Sequence, residues 1–130
     1  MIYGIGIDLV RISRIESVIQ RWGDRFVRRV FTPGEAETCD SRAFSSSAFA
    51  LRFAAKEAFS KALGTGMRNN LRWREIEVAH DPSGKPSLRL YGKSSEICRR
   101  KGVKGMHLSL SDEGEYGTAM VVLEKSEDCP

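Results

Sequence analysis

Three charged side chains lie close together in the segment FAAKEAFSKALGTG, Phe53–Gly66, and their types suit chemistry on phosphate groups. Lys56, Glu57 and Lys61 are spaced so that they share one side of a predicted helix. A carboxylate can bind Mg²⁺, and lysine ammonium groups bind phosphate oxygens. The same residues also fit an ordinary solvated face, because Glu57 precedes Lys61 by four residues, the order that favours a helical ion pair.

Asp8 offers a second carboxylate near the start of the chain, in MIYGIGIDLV. The apolar and β-branched residues Ile2–Ile7 predict a buried strand that ends at Asp8. Mg²⁺ in proteins is usually held by one or two carboxylates, with waters and substrate phosphates as the other ligands. Asp8 and Glu57 are therefore a candidate pair of metal ligands. The alternative for Asp8 is an ordinary turn or helix-terminus residue.

A histidine and two serines alternate along another predicted strand, MHLSLS. His107, Ser109 and Ser111 should lie on one face of this strand, because successive side chains of a strand point to opposite faces. A single histidine on a strand is more often a structural hydrogen-bonding residue than a catalyst. The residues alone leave both roles open for His107.

The helix that carries the lysines and Glu57 is predicted from about Ser46 to Leu63. Alanine and leucine favour helices, and Gly64 is a typical residue for ending one. The predicted buried stripe consists of Ala55, Ala58, Phe59, Ala62 and Leu63. The predicted solvent-facing side consists of Lys56, Glu57, Ser60 and Lys61.

Two more helices are predicted before this one. In SRIESVIQRW, Ser13 and Glu16 have the spacing of a capping box, and Gly23 is the predicted end. The residues of this helix that we expect to face the core are Ile15, Val18, Ile19 and Trp22. In TPGE, Thr32 and Glu35 have the same capping-box spacing and predict the start of the next helix.

The second half of the chain has the alternating pattern of strands. Strands are predicted for REIEVAH, SLRLY, MHLSLS and YGTAMVVLE, with a turn at DPSGKP and a short helix at KSSEICRRKG. This order of elements indicates an α+β fold. We predict a single domain, residues 1–130, in which the N-terminal strand and helices pack on a mostly antiparallel sheet.

The charge distribution narrows the class of partner. The net charge is +4, but residues 1–104 carry +9 and residues 105–130 carry −5. A basic body suggests an anionic partner, such as nucleic acid, a phosphorylated small molecule or an acidic protein. The sequence has neither zinc-finger spacing nor a basic aromatic RNA-binding motif, which argues against nucleic acid. A non-enzymatic basic module that binds RNA or another polyanion is still the main alternative.

Composition and cysteine usage indicate the cellular compartment of the protein. No apolar run is long enough to span a membrane, and the N-terminus lacks the basic region of a secretory signal. The three cysteines are odd in number and without metal-binding spacing, so neither a disulfide framework nor a zinc site is expected. We therefore expect a cytoplasmic protein without a membrane span.

Four segments together resemble one enzyme family over nearly the whole chain. IYGIGIDLV, FAAKEAFSKALGTG, SGKPSLRLYG and HLSLSDEGEYGTAMVVLE are similar, in order and spacing, to the holo-[acyl-carrier-protein] synthases, the small bacterial 4′-phosphopantetheinyl transferases. The resemblance implies transfer of 4′-phosphopantetheine from coenzyme A to a serine of acyl carrier protein in fatty acid biosynthesis. It also implies dependence on Mg²⁺ and release of adenosine 3′,5′-bisphosphate.

The resemblance also implies roles for individual residues. Asp8 and Glu57 match the family's magnesium ligands, and Glu57 is the candidate general base. Lys61 matches a lysine that contacts phosphate, and Lys56 lies next to it. The residues that fall where the family cradles the adenine and the 3′-phosphate are Gly84, Lys85, Pro86 and His107. The position of Asp112 varies in the family, so its role stays open, and the tail after Glu124 lies outside the pattern.

Assembly and partner docking follow from the same resemblance. The family implies a homotrimer with each coenzyme A site between two subunits, so His107 and Asp8 need not meet within one chain. Basic residues of the first helix match the arginines that bind the acidic carrier protein. The residues expected in this role are Arg14, Arg21 and Arg25, although a solvated charged face is the alternative.

Overall fold

The computed structural model describes residues 1–68 and 70–127. The first half of the chain contains β1 (Ile2–Arg11), α1 (Ile12–Trp22), α2 (Asp24–Val30), α3 (Pro33–Asp40) and α4 (Ser45–Leu63). The second half begins with a 3₁₀ helix, Trp73–Glu75. It continues through β2 (Ile76–His80), β3 (Pro86–Leu90), α5 (Gly92–Arg100), β4 (Val103–Glu113) and β5 (Tyr116–Lys125). Cys129 lies outside the described residues.

The described strands form two sheets. One sheet has the order β1-β5-β4, the other pairs β2 with β3, and every pairing is antiparallel. The predicted α+β class and antiparallel pairing are confirmed, but the sequence did not indicate that the strands divide between two sheets. In the larger sheet, Asp8 lies opposite Ala119, and Ala119 lies opposite Leu110.

Strand β1 lies unusually close to helix α4 because it lacks side chains where the two meet. A Cβ atom on Gly4 would lie 2.0 Å from the carbonyl oxygen of Ala62, and one on Gly6 would lie 1.9 Å from that of Ala58. Only glycine permits so close an approach of two backbones. Since alternate residues of a strand share a face, Asp8 points to the same side as these glycines, toward α4.

Helix α4 is buried over more of its surface than its sequence pattern predicted. The predicted apolar stripe is buried, but Lys56 and Ser60 have no exposed surface either. Only Glu57, which is half-buried, and Lys61, which is exposed, remain of the predicted solvent-facing side. The reason is that α4 packs on β1 and β5 and is also covered by α1 and α3.

The first helix differs from its prediction at its start and in the exposure of one residue. Helix α1 begins directly after β1 without a side-chain cap, and the Ile12 N–H bonds to the Glu115 carbonyl oxygen, so the Ser13 capping box is wrong. Gly23 ends the helix as predicted. Trp22 is 49% exposed, so its expected place in the core is also wrong. Helix α2, which was not predicted, follows at once.

Other local predictions agree with the structure. Thr32 and Glu35 form the predicted capping box at the start of α3, and Gly64 ends α4 in the left-handed conformation. Strand β1 continues three residues beyond Asp8, because β5 pairs with it as far as Arg11. Asp8 therefore lies within a strand rather than at its end. Across the described part of the chain, no helix is long and apolar enough to cross a membrane.

Candidate active site

Asp8 and Lys61 meet where β1 packs against α4. The Lys61 ammonium donates to Asp8 Oδ1 at 2.9 Å and to the Ile7 carbonyl oxygen at 3.1 Å. The Asp8 side chain is 15% exposed, whereas the Lys61 side chain is 51% exposed. The spacing on the helix predicted a pair between Lys61 and Glu57. The structure instead joins Lys61 to a carboxylate 53 positions away in the sequence.

Glu57 lies one helical turn before Lys61 and close to Asp8. Partial burial raises the pKa of Glu57, and the negative charge of Asp8 raises it further, while Lys61 and Arg14 oppose the shift. The two carboxylates therefore repel each other. A bound cation would relieve this repulsion.

This pair of carboxylates is the kind of donor set that suits Mg²⁺. No group of three or more His, Cys, Asp or Glu side chains suitable for a metal occurs among the described residues. Two carboxylates leave coordination positions for waters and substrate phosphates, as Mg²⁺ prefers, and they provide only hard oxygen ligands. The residues present therefore fit this metal better than zinc, which prefers nitrogen and sulfur ligands.

Lys56 does not belong to this group of residues. Its ammonium, with no exposed surface, donates to Glu35 Oε1 at 2.6 Å and to the carbonyl oxygens of Val30 at 2.8 Å and Trp73 at 3.0 Å. These bonds use all three of its protons. Burial lowers the pKa of Lys56, and the carboxylate of Glu35 opposes that shift. We correct the expectation that Lys56 contacts phosphate, because it has no free donor.

His107 lies on the face of the larger sheet that points away from α4. It is opposite Val122, which is opposite Ile5, whereas Asp8 points toward α4. The imidazole of His107 bonds to the carboxylate of Glu124, and this bond lowers the pKa of Glu124. Within one chain, His107 and Asp8 are therefore on opposite faces of the sheet.

Gly84, Lys85 and Pro86 lie at the turn between β2 and β3. Asp81 Oδ1 organises this turn by accepting from the backbone N–H groups of Ser83 and Lys85, both at 2.9 Å, and from the Ser83 hydroxyl. Gly84 has φ +93°, which favours glycine. The turn residues Gly84 and Lys85 are exposed, and no hydrogen bond among the described residues joins them to Asp8.

A basic pocket of about 310 Å³ contains residues that the sequence analysis missed. Arg42, Arg52 and His80 line it, with Leu110 and Asp112 of β4 on another wall. Arg52 is 3% exposed, and its Nε has no hydrogen-bond partner among the described residues. A buried guanidinium with an unpaired N–H makes this pocket a candidate binding site for an anion.

The positive charge of this pocket comes from its two arginines, because the pKa of its histidine is lowered. Arg52 Nη2 lies 3.4 Å from His80 Nδ1, and Nη1 donates to the Ala48 carbonyl oxygen at 3.2 Å. Burial lowers the pKa of His80, and the charges of Arg52 and Arg42 lower it further. The only sequence signal for Arg52 was its place four residues before Lys56, and the 28 positions between Arg52 and His80 concealed their contact.

The predicted arginine face lies beside the site. Arg14, Arg21 and Arg25 are all exposed, and Arg14 is near enough to Glu57 to influence its pKa. Arg21 lies 5.3 Å from the centre of the Trp22 ring. A groove of about 400 Å³ runs along this face. Its lining residues are Val18, Trp22, Arg25, Phe26 and Arg29.

The outer face of the larger sheet is apolar and exposed. Ile5, Ile7 and Leu9 on β1 are 59%, 60% and 67% exposed, and Met120 on β5 is 45% exposed. Met120 lies opposite Ile7, so these side chains form one continuous patch that also carries His107 near its edge. Exposed apolar patches of this kind are typical of surfaces that contact other proteins.

Comparisons with known proteins agree on one family. The family model for the 4′-phosphopantetheinyl transferase superfamily matches residues 4–121. The holo-[acyl-carrier-protein] synthase of Geobacter sp. (strain M21) is 48% identical over 125 residues, covering 96% of this chain and 100% of that protein. The crystal structure of the holo-[acyl-carrier-protein] synthase from Neisseria meningitidis has a TM-score of 0.91 and 40% identity, covering 96% of this chain and 100% of that one.

A second solved structure contains a ligand. The Helicobacter pylori holo-[acyl-carrier-protein] synthase in complex with coenzyme A has a TM-score of 0.83 and 33% identity, covering 92% of this chain and 99% of that one. The family match extends from Gly4 in β1 to Val121 in β5 and so includes the carboxylates, Lys61 and the basic pocket. The chain belongs to the 4′-phosphopantetheinyl transferase superfamily.

Proposed function

We propose that the chain transfers 4′-phosphopantetheine from coenzyme A to a serine of apo-acyl carrier protein, yielding holo-acyl carrier protein and adenosine 3′,5′-bisphosphate. The observation that carries the proposal is the meeting of Asp8, Glu57 and Lys61 where β1 touches α4. Two repelling carboxylates beside a cation suit a metal and a diphosphate better than they suit a structural role. Membership of the superfamily supports the same reaction.

In the proposed reaction, the serine oxygen forms a bond to the β-phosphorus, and the bond from that phosphorus to the bridging oxygen breaks. The serine proton goes to a base, for which Glu57 is the candidate. Lys61 would donate to phosphate oxygens as negative charge builds there. Asp8 and Glu57 would hold Mg²⁺, which when bound neutralises charge on the phosphates.

The 3′-phosphate of coenzyme A, which lies outside the diphosphate, also needs cations. We propose that Arg42 and Arg52 of the basic pocket supply them, because the unpaired N–H of buried Arg52 requires an acceptor. His107 and the turn Gly84–Lys85–Pro86 are proposed to contact the adenosine part. Asp112 also lines this pocket, so we propose that it lies near the bound substrate.

Intact mass measurement tests the reaction directly. The protein is incubated with coenzyme A, Mg²⁺ and apo-acyl carrier protein, and the carrier should gain one phosphopantetheine group. A carrier whose acceptor serine is replaced by alanine is the control and should gain nothing. If the wild-type carrier gains no mass while the protein binds RNA, the non-enzymatic alternative is correct.

We further propose that the protein is a homotrimer with each site shared between two subunits. The exposed apolar patch on the outer sheet face supports an interface there, and its neighbour His107 points away from the Asp8 of its own chain. A closed ring of identical subunits would let one subunit supply Asp8 and the next supply His107.

A mixing experiment tests this sharing. Asp8→Asn and His107→Ala chains, each inactive alone, should recover activity after subunit exchange. Roughly a quarter of the sites in an equal mixture would then combine the two intact residues. Each variant incubated alone through the same exchange protocol is the control. Sedimentation as a monomer would reject the trimer, and no recovery despite confirmed exchange would reject the sharing.

The arginine face should control carrier binding. We expect Arg14→Ala/Arg21→Ala to raise KM for apo-acyl carrier protein about three- to tenfold, because exposed ion pairs contribute roughly 0.2–1 kcal/mol each. KM for coenzyme A should change little. Carrier affinity of the wild type should fall as NaCl rises, and that of the double variant should fall less, because salt screens exposed charges.

Two arginines at the end of α5 provide the matched control. Arg99→Ala/Arg100→Ala removes the same charge from an exposed helix and should leave the carrier KM and its salt dependence unchanged. If the Arg14/Arg21 variant behaves like this control at every salt concentration, the arginine face is ordinary solvated surface.

The cellular setting is also a proposal. The reaction would serve fatty acid biosynthesis by supplying holo-carrier protein. A cytoplasmic location is supported by Cys39 and Cys98, which are free thiols whose burial raises their pKa values to about 11. A single domain over residues 1–130 is supported by one hydrophobic cluster that includes residues from β1, α4 and β5.

A further inference from the structure

Lys56 and Glu35 form an ion pair inside the protein that the proposed reaction does not use. Neither side chain has exposed surface, and the Lys56 ammonium lies 2.6 Å from Glu35 Oε1. Burying two charges is costly unless every remaining hydrogen-bonding group also finds a partner. The contacts of this pair should therefore indicate what it holds in place.

Lys56 connects three parts of the chain besides its own helix. It donates to Glu35 in α3, to the carbonyl oxygen of Val30 at the end of α2, and to that of Trp73 in the 3₁₀ helix. The ring of Phe31 also lies against the ammonium, 5.3 Å from its centre. Helix α4 is thus tied to α2 and α3 at the position of this one residue.

Glu35 extends the network in the other direction. Its Oε1 accepts from the Thr32 N–H at 3.0 Å, and its Oε2 accepts from the Val78 N–H of β2 at 2.9 Å. Both carboxylate oxygens are therefore occupied by donors from different elements. The pair has fixed partners on every side, so a shift of α4 along or around its axis would break several bonds at once.

The residue after Lys56 is the proposed metal ligand and base, Glu57. Neighbouring helical residues point about 100° apart, so the anchored side of α4 and its active side face different directions of one rigid helix. Lys56 also donates to the carbonyl oxygen of Val30, the last residue of α2. The same helix carries Arg25 of the arginine face, which lines the groove beside Phe26. One ion pair thus fixes α4, which carries Glu57, relative to α2, which carries Arg25 of the arginine face.

We propose that Lys56, through its buried pair with Glu35, is a positioning residue for the transfer reaction and not a phosphate ligand. It sets the position of Glu57 relative to α2, which carries Arg25 of the arginine face. The inference rests on the proposed function. It assigns the first lysine of K-E-A-F-S-K to the interior and leaves phosphate contact to Lys61.

Removing one or both partners of the pair separates this role from phosphate binding. Lys56→Met leaves the Glu35 carboxylate buried without a cation, and Glu35→Gln leaves the ammonium without a counter-charge. In Lys56→Met/Glu35→Gln both charges are gone, and the amide oxygen of Gln can still accept from a backbone N–H. Loss of one partner of a buried pair is costlier than loss of both.

We expect the second substitution to restore most of the activity that either single substitution removes. At a temperature where circular dichroism shows each protein folded, kcat per folded molecule should fall about tenfold or more in each single variant, since small displacements at a reacting centre have large effects. The double variant should return to within about threefold of wild type, because no buried charge is left unpaired. KM for coenzyme A should stay within about threefold of wild type in both single variants and in the double variant. Lys101→Met and Glu37→Gln, which alter exposed side chains, are the controls and should match wild type.

Two results would overturn the proposal. A double variant as inactive as Lys56→Met, with a raised KM for coenzyme A, would identify Lys56 as a phosphate ligand. Lower melting temperatures with unchanged kcat per folded molecule would reduce the pair to a purely stabilising role. If a single variant does not fold, the activity of the double variant alone decides between positioning and phosphate binding. A wild-type protein without transfer activity would instead refute the proposed function.

Discussion

Replacing Asp8 by Asn or Glu57 by Gln should lower the transfer rate by at least about 100-fold, because a bound metal contributes several kcal/mol to transition-state stabilisation. Each change removes one of the two carboxylates that face the same space between β1 and α4. The Mg²⁺ concentration for half-maximal rate should rise in both variants, and calorimetry should show weaker Mg²⁺ binding without substrate. Kinetics as a function of Mg²⁺, together with this binding measurement, check the assignment.

Stability should respond differently from activity. The pKa of Glu57 is raised in the folded protein by burial and by Asp8, so the folded state favours the protonated form. Stability from this group is present at low pH and is lost as pH rises through the raised pKa. At neutral pH, Glu57→Gln should therefore melt no lower than wild type. Any advantage of the variant should shrink as the pH is lowered through the pKa of Glu57.

Two exposed acids on α3 give the control for these changes. Glu37→Gln and Asp40→Asn remove the same charge and should leave both rate and Mg²⁺ dependence unchanged. Unchanged activity at low Mg²⁺ in both Asp8→Asn and Glu57→Gln would remove the metal assignment. A large loss of folded protein would leave the calorimetric Mg²⁺ affinity of the folded fraction as the deciding measurement.

Lys61→Met should also reduce transfer by roughly 100-fold, a loss comparable to that of one donor to a developing negative charge. Its effect on the free energy of unfolding should be about 1 kcal/mol or less, because half-exposed ion pairs contribute little. Steady-state kinetics beside urea unfolding measure the two effects separately. Lys61→Arg should retain more activity than Lys61→Met, since it keeps a cation at this position.

The result that would contradict this role is equally definite. If Lys61→Met lowers the free energy of unfolding but has wild-type kinetics, then Lys61 serves only as the surface partner of Asp8. Lys101→Met, on an exposed position after α5, is the control for a lost lysine charge and should change neither quantity.

Local sequence signals predicted the parts of the fold that depend on local contacts. The side chains of Thr32 and Glu35 each accept a hydrogen bond from the other residue's backbone N–H within one turn. Their spacing alone therefore predicted the start of α3. Gly64 ends α4 because its left-handed conformation suits glycine. The alternation in MHLSLS likewise predicted the core of β4, and His107 and Ser109 lie on one exposed face as expected.

Features decided by distant contacts were not predictable from these patterns. Lys56 looked solvated because a helical pattern does not reveal what covers its polar side, and here α3 and the 3₁₀ helix do so. Asp8 was placed at a strand end because its partner β5 lies about 110 residues away. The pair of Lys61 with Asp8 and the contact of Arg52 with His80 follow from the same long-range packing.

The order of strands in the larger sheet has a consequence for how the protein is made. Strand β1, which carries Asp8, is the first element of the chain, yet its sole strand partner among the described residues is β5. A ribosome completes all four intervening helical segments of the first half, and β2 to β4, before that partner exists. Pairing across so long a separation is slow, because the loop must close before any contact rewards it. During synthesis β1 therefore lacks its strand partner until β5 has been made. Asp8 and Glu57 reach their final geometry among the last steps of folding.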